Sequence, residues 1–260
     1  MELVLIGAAA LLASTLTLFS GFGLGTMMTP VFALFFPLPL AIAATAVVHL
    51  ASNLFKVGLL ARNADARVVA LFGLPAALAA LAGASVLGAV DRLPVLDHYV
   101  LAGRAYEITA IKALIGALIV VFAVLELSPR FAALAFPPRW LPLGGALSGF
   151  FGGLSGNQGA LRSAFLIKAG LGKEAFVATG AVLAALVDVV RLTVYGVDTL
   201  AGQIAQAEVP ALPVAVGMGC AFLGAYVGKR LMHKVTLRAV QRIVAAGMFL
   251  IGGGLILGWF

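Results

Sequence analysis

The sequence predicts an all-α polytopic membrane protein built from two inverted repeats. Each repeat is expected to hold a Gly-rich broken or re-entrant helix element and about three spanning helices. Three observations carry that expectation. The chain of 260 residues is 63% hydrophobic and only 10% charged, against roughly 25% charged in soluble domains. Its apolar residues gather in runs near the length that spans about 30 Å of hydrocarbon. A glycine-rich polar element also occurs twice, once in each half, inside such runs.

The apolar runs cover 3–20, 39–60, 68–90, 108–127, 141–169, 174–195, 210–228 and 239–259. Charged linkers separate most of them: Arg62 to Arg67, Asp91 to Glu107, Ser128 to Arg139 and Lys229 to Arg238. None of these linkers has room for a soluble domain. Met1-Glu2 runs straight into apolar residues without a positive n-region, so the first run reads as a retained part of the fold. The first repeat is placed at 1–127, a connecting loop at 128–140 and the second repeat at 141–260.

The duplication shows in matched positions. Gly25 and Thr45 align with Gly159 and Thr179 at an offset of 134. One residue further along, at 135, Asn53 and Lys56 align with Asp188 and Arg191. Leu87-Gly88-Ala89 later matches Leu223-Gly224-Ala225.

The first glycine element reads Ser20-Gly21-Phe22-Gly23-Leu24-Gly25-Thr26-Met27-Met28-Thr29-Pro30. The second reads Gly152-Gly153-Leu154-Ser155-Gly156-Asn157-Gln158-Gly159-Ala160-Leu161-Arg162-Ser163. Glycine and small hydroxyls break a helix, and lipid cannot satisfy the exposed backbone. Such a break survives only where it is buried in protein or lines a wet cavity. Interrupted segments in corresponding positions of two halves point to the binding site of a secondary transporter.

Basic residues choose between two topologies. If every run crosses fully, Arg62, Arg67, Arg130, Arg139 and Arg191 lie on one side and eight other basic residues opposite. If each glycine element is instead a re-entrant hairpin, the balance changes. Arg62, Arg67, Arg130, Arg139, Lys168, Lys173, Lys229, Arg230, Lys234 and Arg238 then share a face, leaving Arg92, Arg104 and Arg191. Ten against three is what the positive-inside rule favours, and it inverts the repeats with both termini outside the cytoplasm. The net charge of +7 is thereby accounted for. No basic stripe interleaved with aromatics calls for nucleic acid. The single cysteine, Cys220, reads as a small buried hydrophobe. No spacing of His, Cys and carboxylates makes a metal site, and no cofactor is expected.

At the two glycine elements the sequence resembles the TauE/SafE family of sulfite exporters and related organic-anion permeases, as a divergent member. The resemblance rests on the duplicated halves, the Gly-rich motif opening each, and the Ala-Thr steps at Ala44-Thr45 and Ala178-Thr179. The first half keeps the family's proline as Pro30 but has Leu24 where a glycine is common. The second half departs further, with Asn157-Gln158 in the cluster, Arg162 close behind, and Ala164 in place of proline. The resemblance implies a multi-pass protein of a bacterial inner membrane. Its partners would be the lipid bilayer, protons as coupling ion, and a small anion of the sulfite, sulfonate or carboxylate class.

The residues suit that chemistry. A helix that begins inside the membrane points unpaired N–H groups and a positive dipole end at the break. Expected substrate-binding residues are Gly23, Gly25, Thr26 and Thr29 in the first half, and Ser155, Asn157, Gln158, Arg162 and Ser163 in the second. Arg162 brings a fixed charge and a planar fork matched to an oxyanion. Asp188, deep in its run, and His49, one turn before Asn53, are the expected proton-coupling groups. Asn53, Lys56 and Arg191 are expected to support them. Two alternatives stand beside the carrier. One is an uncoupled anion channel. The other is an intramembrane serine hydrolase, in which Gly153-Leu154-Ser155-Gly156 presents Ser155 with His49 as its base.

Overall fold

The structure, a computed structural model, describes residues 1–20, 24–197, 211–231 and 237–259. The first half holds α1 (Glu2–Ser20), α2 (Leu24–Ala33), α3 (Leu38–Leu60), α4 (Ala66–Asp91), strands β1 (Val95–Leu101) and β2 (Arg104–Thr109), and α5 (Ala110–Leu127). A short α6 (Pro129–Ala132) lies in the connection. The second half holds α7 (Leu141–Ser155), α8 (Gly159–Leu166), α9 (Lys173–Val197), α10 (Ala211–Leu231) and α11 (Leu237–Ile256). Among the described residues α3, α4, α5, α9 and α10 are long and apolar enough to cross a membrane. The chain is an all-α polytopic membrane protein.

Helices start where the sequence supplies caps. The Asp65 carboxylate accepts from Val68 N at 2.9 Å to open α4, and the Thr109 hydroxyl accepts from Lys112 N at 3.3 Å to open α5. These side chains satisfy N–H groups that a helix leaves without partners.

The glycines decide how the helices pack. Gly145, Gly149 and Gly153 lie on one face of α7 against the carbonyl oxygens of Phe72, Ala76 and Ala80 on α4. A Cβ at any of the three would overlap the carbonyl it faces. The residue numbers rise together, so α4 and α7 run parallel, backbone against backbone. This is the close approach that small residues permit in membrane helices. α1 of the first half and α10 of the second pack in the same way. Gly224 lies against Leu11 O, Gly7 meets Val216 and Cys220, and Thr15 Oγ1 donates to Gly224 O at 3.1 Å. Each half thus lends its first helix to the other half. α5 and α11 cross antiparallel through Gly116 and Gly252. α3 and α9 run antiparallel through His49, Asn53 and Asp188, with Asn63 donating to Glu174 at 3.0 Å near one end.

Replacing Gly149 by leucine is expected to force α4 and α7 apart. Overpacking of a tight contact costs about 1–3 kcal/mol, so a thermal melt of the purified variant should show a clearly lowered midpoint.

The second glycine element is a hairpin. α7 ends at Gly156, whose φ of 80° and ψ of −4° place it in the left-handed region. Gly156 N donates to Gly152 O at 2.9 Å, closing the last turn as a glycine C-cap does. α8 then folds back along α7. Ser148 Oγ donates to Gln158 O at 3.0 Å, Gly144 abuts the Phe165 ring, and Phe165 stacks on Phe136 with centroids 4.4 Å apart. The polar turn therefore sits at the inner end of two apolar limbs. The stretch 141–169 is two half-helices rather than one span.

Two features differ from expectation. The linker from Asp91 to Glu107 is largely an antiparallel hairpin, with Leu101 paired to Arg104. Its turn, Ala102-Gly103, has φ of 52° and 77°, the geometry that suits a two-residue hairpin. It docks on the chain's end, where Tyr99 Oη donates to Leu257 O and Trp259 Nε1 donates to Tyr99 Oη at 3.0 Å. Arg191, placed at a membrane face when loop charges were assigned, is fully buried inside α9. It belongs to no loop and contributes nothing to the charge asymmetry.

Candidate functional site

The two glycine elements meet. A Cβ on Gly25, in the first turn of α2, would lie 2.9 Å from Gly156 O and 3.9 Å from the His49 ring. A Cβ on Gly156 would lie 2.6 Å from Arg191 Nη1. The absence of side chains at both positions lets the start of α2, the turn after α7, and the polar faces of α3 and α9 converge. Gly23 lies outside the described residues.

His49, Ser52, Asn53 and Lys56 repeat at helical spacing along one buried face of α3, and Asp188 and Arg191 stand on the facing turns of α9. Asp188 is the hub. Its Oδ2 lies 2.6 Å from His49 Nδ1 and 3.4 Å from Asn53 Nδ2. Its Oδ1 accepts from Arg191 Nε at 3.0 Å and lies 2.9 Å from Arg191 Nη2. A carboxylate can only accept, so His49 Nδ1 carries the hydrogen that faces Asp188, and the Asn53 amide nitrogen lies 3.2 Å from Nδ1 and 3.4 Å from Nε2. Each of these side chains is buried, Asp188 and Arg191 completely.

Arg162 on α8 and Lys56 on α3 stand on the other flank. Both are buried, and the Arg162 guanidinium passes Gly180 of α9. Lys56, Arg162 and Arg191 are thus buried in the same region as the carboxylate of Asp188.

Polar groups without partners lie on α3, at the Gly156 turn and on α8. Both ends of the Asn157 amide, Gln158 Nε2, Ser163 Oγ and Thr45 Oγ1 are buried with no hydrogen-bond partner among the described residues. Buried polar groups are nearly always paired with protein or water, so this cluster is prepared for a polar occupant. The first turn of α8 adds the N–H groups of Gly159, Ala160 and Leu161, which have no place in the helix's own ladder. The remaining predicted groups are held within their own elements. Thr29 Oγ1 donates to Gly25 O at 3.2 Å, and Ser155 Oγ donates to Phe151 O at 3.1 Å while accepting from Asn157 N at 3.4 Å. Thr26 is buried at the start of α2. The hydroxyl hydrogens of Thr29 and Ser155 are therefore committed. The His49 ring faces Asp188 and Asn53, so no bond among the described residues prepares Ser155 as a nucleophile.

A family profile described as Sulfite exporter TauE/SafE matches residues 6–255, nearly the whole chain. The chain belongs to the TauE/SafE family. No curated protein and no solved structure matches it. Membership in this transporter family agrees with a multi-pass membrane protein whose polar residues converge at a buried centre.

Tyr195 was not singled out in the sequence, yet it ties the site together. Its hydroxyl donates to Gly153 O at 2.6 Å, fixing the end of α7 to α9. It stands one turn beyond Arg191, and that spacing was the signal available. Tyr195→Phe should lower stability by about 1 kcal/mol and weaken anion binding by loosening the turn, checked by melting and titration of one sample.

Proposed function

We propose that the protein is a proton-coupled secondary carrier of small sulfur-containing or organic anions. The substrate binds where the two glycine elements meet. One observation carries this reading: the two glycine elements meet at a buried turn where the Asn157 amide and Gln158 Nε2 have no hydrogen-bond partner among the described residues, beside the buried guanidinium of Arg191. Arg162 supplies charge and a bidentate fork, the amides and the first turn of α8 supply orientation, and Asp188 with His49 carries the proton.

The two halves act as inverted repeats in a bacterial inner membrane. Support comes from helix directions: α1 runs with α10 and α4 with α7, while α3 opposes α9 and α5 opposes α11. The α3–α4 turn meets the start of α9, and the α6–α7 connection meets the end of α8. Arg62, Arg67, Arg130, Arg139, Lys168 and Lys173 accordingly gather at one end, the cytoplasmic one by the positive-inside rule. Alternating access comes from one repeat moving against the other.

The test is Arg162→Ala in purified protein titrated with sulfite, sulfoacetate and small carboxylates. A charged hydrogen bond contributes about 1.5–3 kcal/mol, so anion affinity should fall by roughly 10- to 100-fold. Unchanged affinity would remove Arg162 from the site. Flux that ignores an imposed pH gradient would favour the uncoupled channel.

A further inference from the structure

Asp188 divides its two oxygens between two different partners. Oδ1 faces the Arg191 guanidinium and Oδ2 faces the His49 imidazole. Arg191 in turn lies against Gly156, at the turn that carries Asn157 and Gln158. Asp188 takes the Nε and Nη2 edge of the guanidinium, while Nη1 faces Gly156 without a hydrogen-bond partner among the described residues, so the carboxylate competes with an anion at Gly156 for the charge of Arg191.

We infer that Asp188 is a built-in competitor for the substrate anion, holding Arg191 in the empty carrier and surrendering it when His49 gains a proton. The inference rests on the anion-carrier reading and adds to it the device that links proton to anion. With His49 neutral, the charges of His49, Asp188 and Arg191 sum to zero, and Arg191 is spent on Asp188. A proton arriving at Nε2 makes an imidazolium whose Nδ1–H already points at Asp188. His49 and Asp188 then form a neutral pair, and Arg191 becomes the uncompensated charge. A monovalent anion at Gly156 restores the sum to zero. One proton is thus taken up for each negative charge that Arg191 receives.

The surroundings leave His49 as the switching group. α9 presents Asp188 and Arg191 to it, its own helix presents Asn53 and Lys56, and α2 presents only the uncharged backbone at Gly25.

The experiment is calorimetric titration of the full chain in detergent with acetate, a monovalent anion whose carboxylate stays ionised near neutrality. Buffers of different ionisation heat count the protons exchanged. The wild type should take up about one proton per anion bound. Asp188→Asn should bind about tenfold more tightly with no proton uptake, because Arg191 is free throughout. His49→Gln keeps a donor for Asp188 that cannot charge, so it should bind about tenfold more weakly and take up no proton. This variant retains every neutral contact and decides the matter should Asp188→Asn fail to fold. Wild-type binding without proton uptake, or uptake that survives His49→Gln, overturns the device and leaves the anion site standing. No binding of sulfoacetate, sulfite or a small carboxylate overturns both.

Discussion

Gly156→Ala should cut transport sharply and lower the stability of the folded chain. Two independent effects fall on this residue. Its φ of 80° is left-handed, and a side chain there costs roughly 1–2 kcal/mol. The new Cβ would also stand 2.6 Å from Arg191 Nη1, so the fully buried guanidinium would have to shift against its pairing with Asp188. Gly170→Ala is the comparison. Its φ of 77° imposes the same conformational strain, but nothing lies within 4 Å of its Cβ. Flux into proteoliposomes and thermal melting of both variants separate the terms. The Gly170 variant should lose a little stability and keep its flux. The Gly156 variant should lose considerably more stability and at least about tenfold in flux.

Arg191→Met carries the second large effect. Asp188 and Arg191 are fully buried, with guanidinium nitrogens 2.9 and 3.0 Å from one carboxylate oxygen. Removing one partner of such a pair costs about 3–5 kcal/mol, because the other charge is left without compensation. Removing both costs much less. The double variant Asp188→Asn, Arg191→Met should therefore recover part of the stability lost by Arg191→Met alone, measured by melting in one detergent. It should not recover transport, since the cation at Gly156 is gone. A double variant less stable than Arg191→Met would mean that the carboxylate does not depend on Arg191.

The sequence foretold the membrane class and drew attention to the glycine elements, because hydrocarbon imposes a length on helices and forbids unpaired backbone. It also paired Asn53 with Asp188 and Lys56 with Arg191 across the halves at an offset of 135. It did not bring His49 to Asp188. That bond joins residues 139 apart and exists only because α3 and α9 cross at their polar faces. Gly145, Gly149 and Gly153 were visible as glycines, yet nothing local says that they meet α4 rather than a helix of their own half. The hairpin at Val95–Thr109 was concealed by its charges, which made a strand pair read as a linker. Arg191 was misplaced for a related reason. Near the end of an apolar run, a basic residue looks like a loop charge until its carboxylate partner is seen.

The most direct test of the anion-carrier account is uptake into proteoliposomes holding the purified chain. Sulfite or sulfoacetate is placed outside, with and without an inward pH gradient. The account predicts uptake that the gradient accelerates, and that Arg162→Ala suppresses without unfolding the protein. Uptake of neither anion, or uptake equal in wild type and Arg162→Ala, would contradict it.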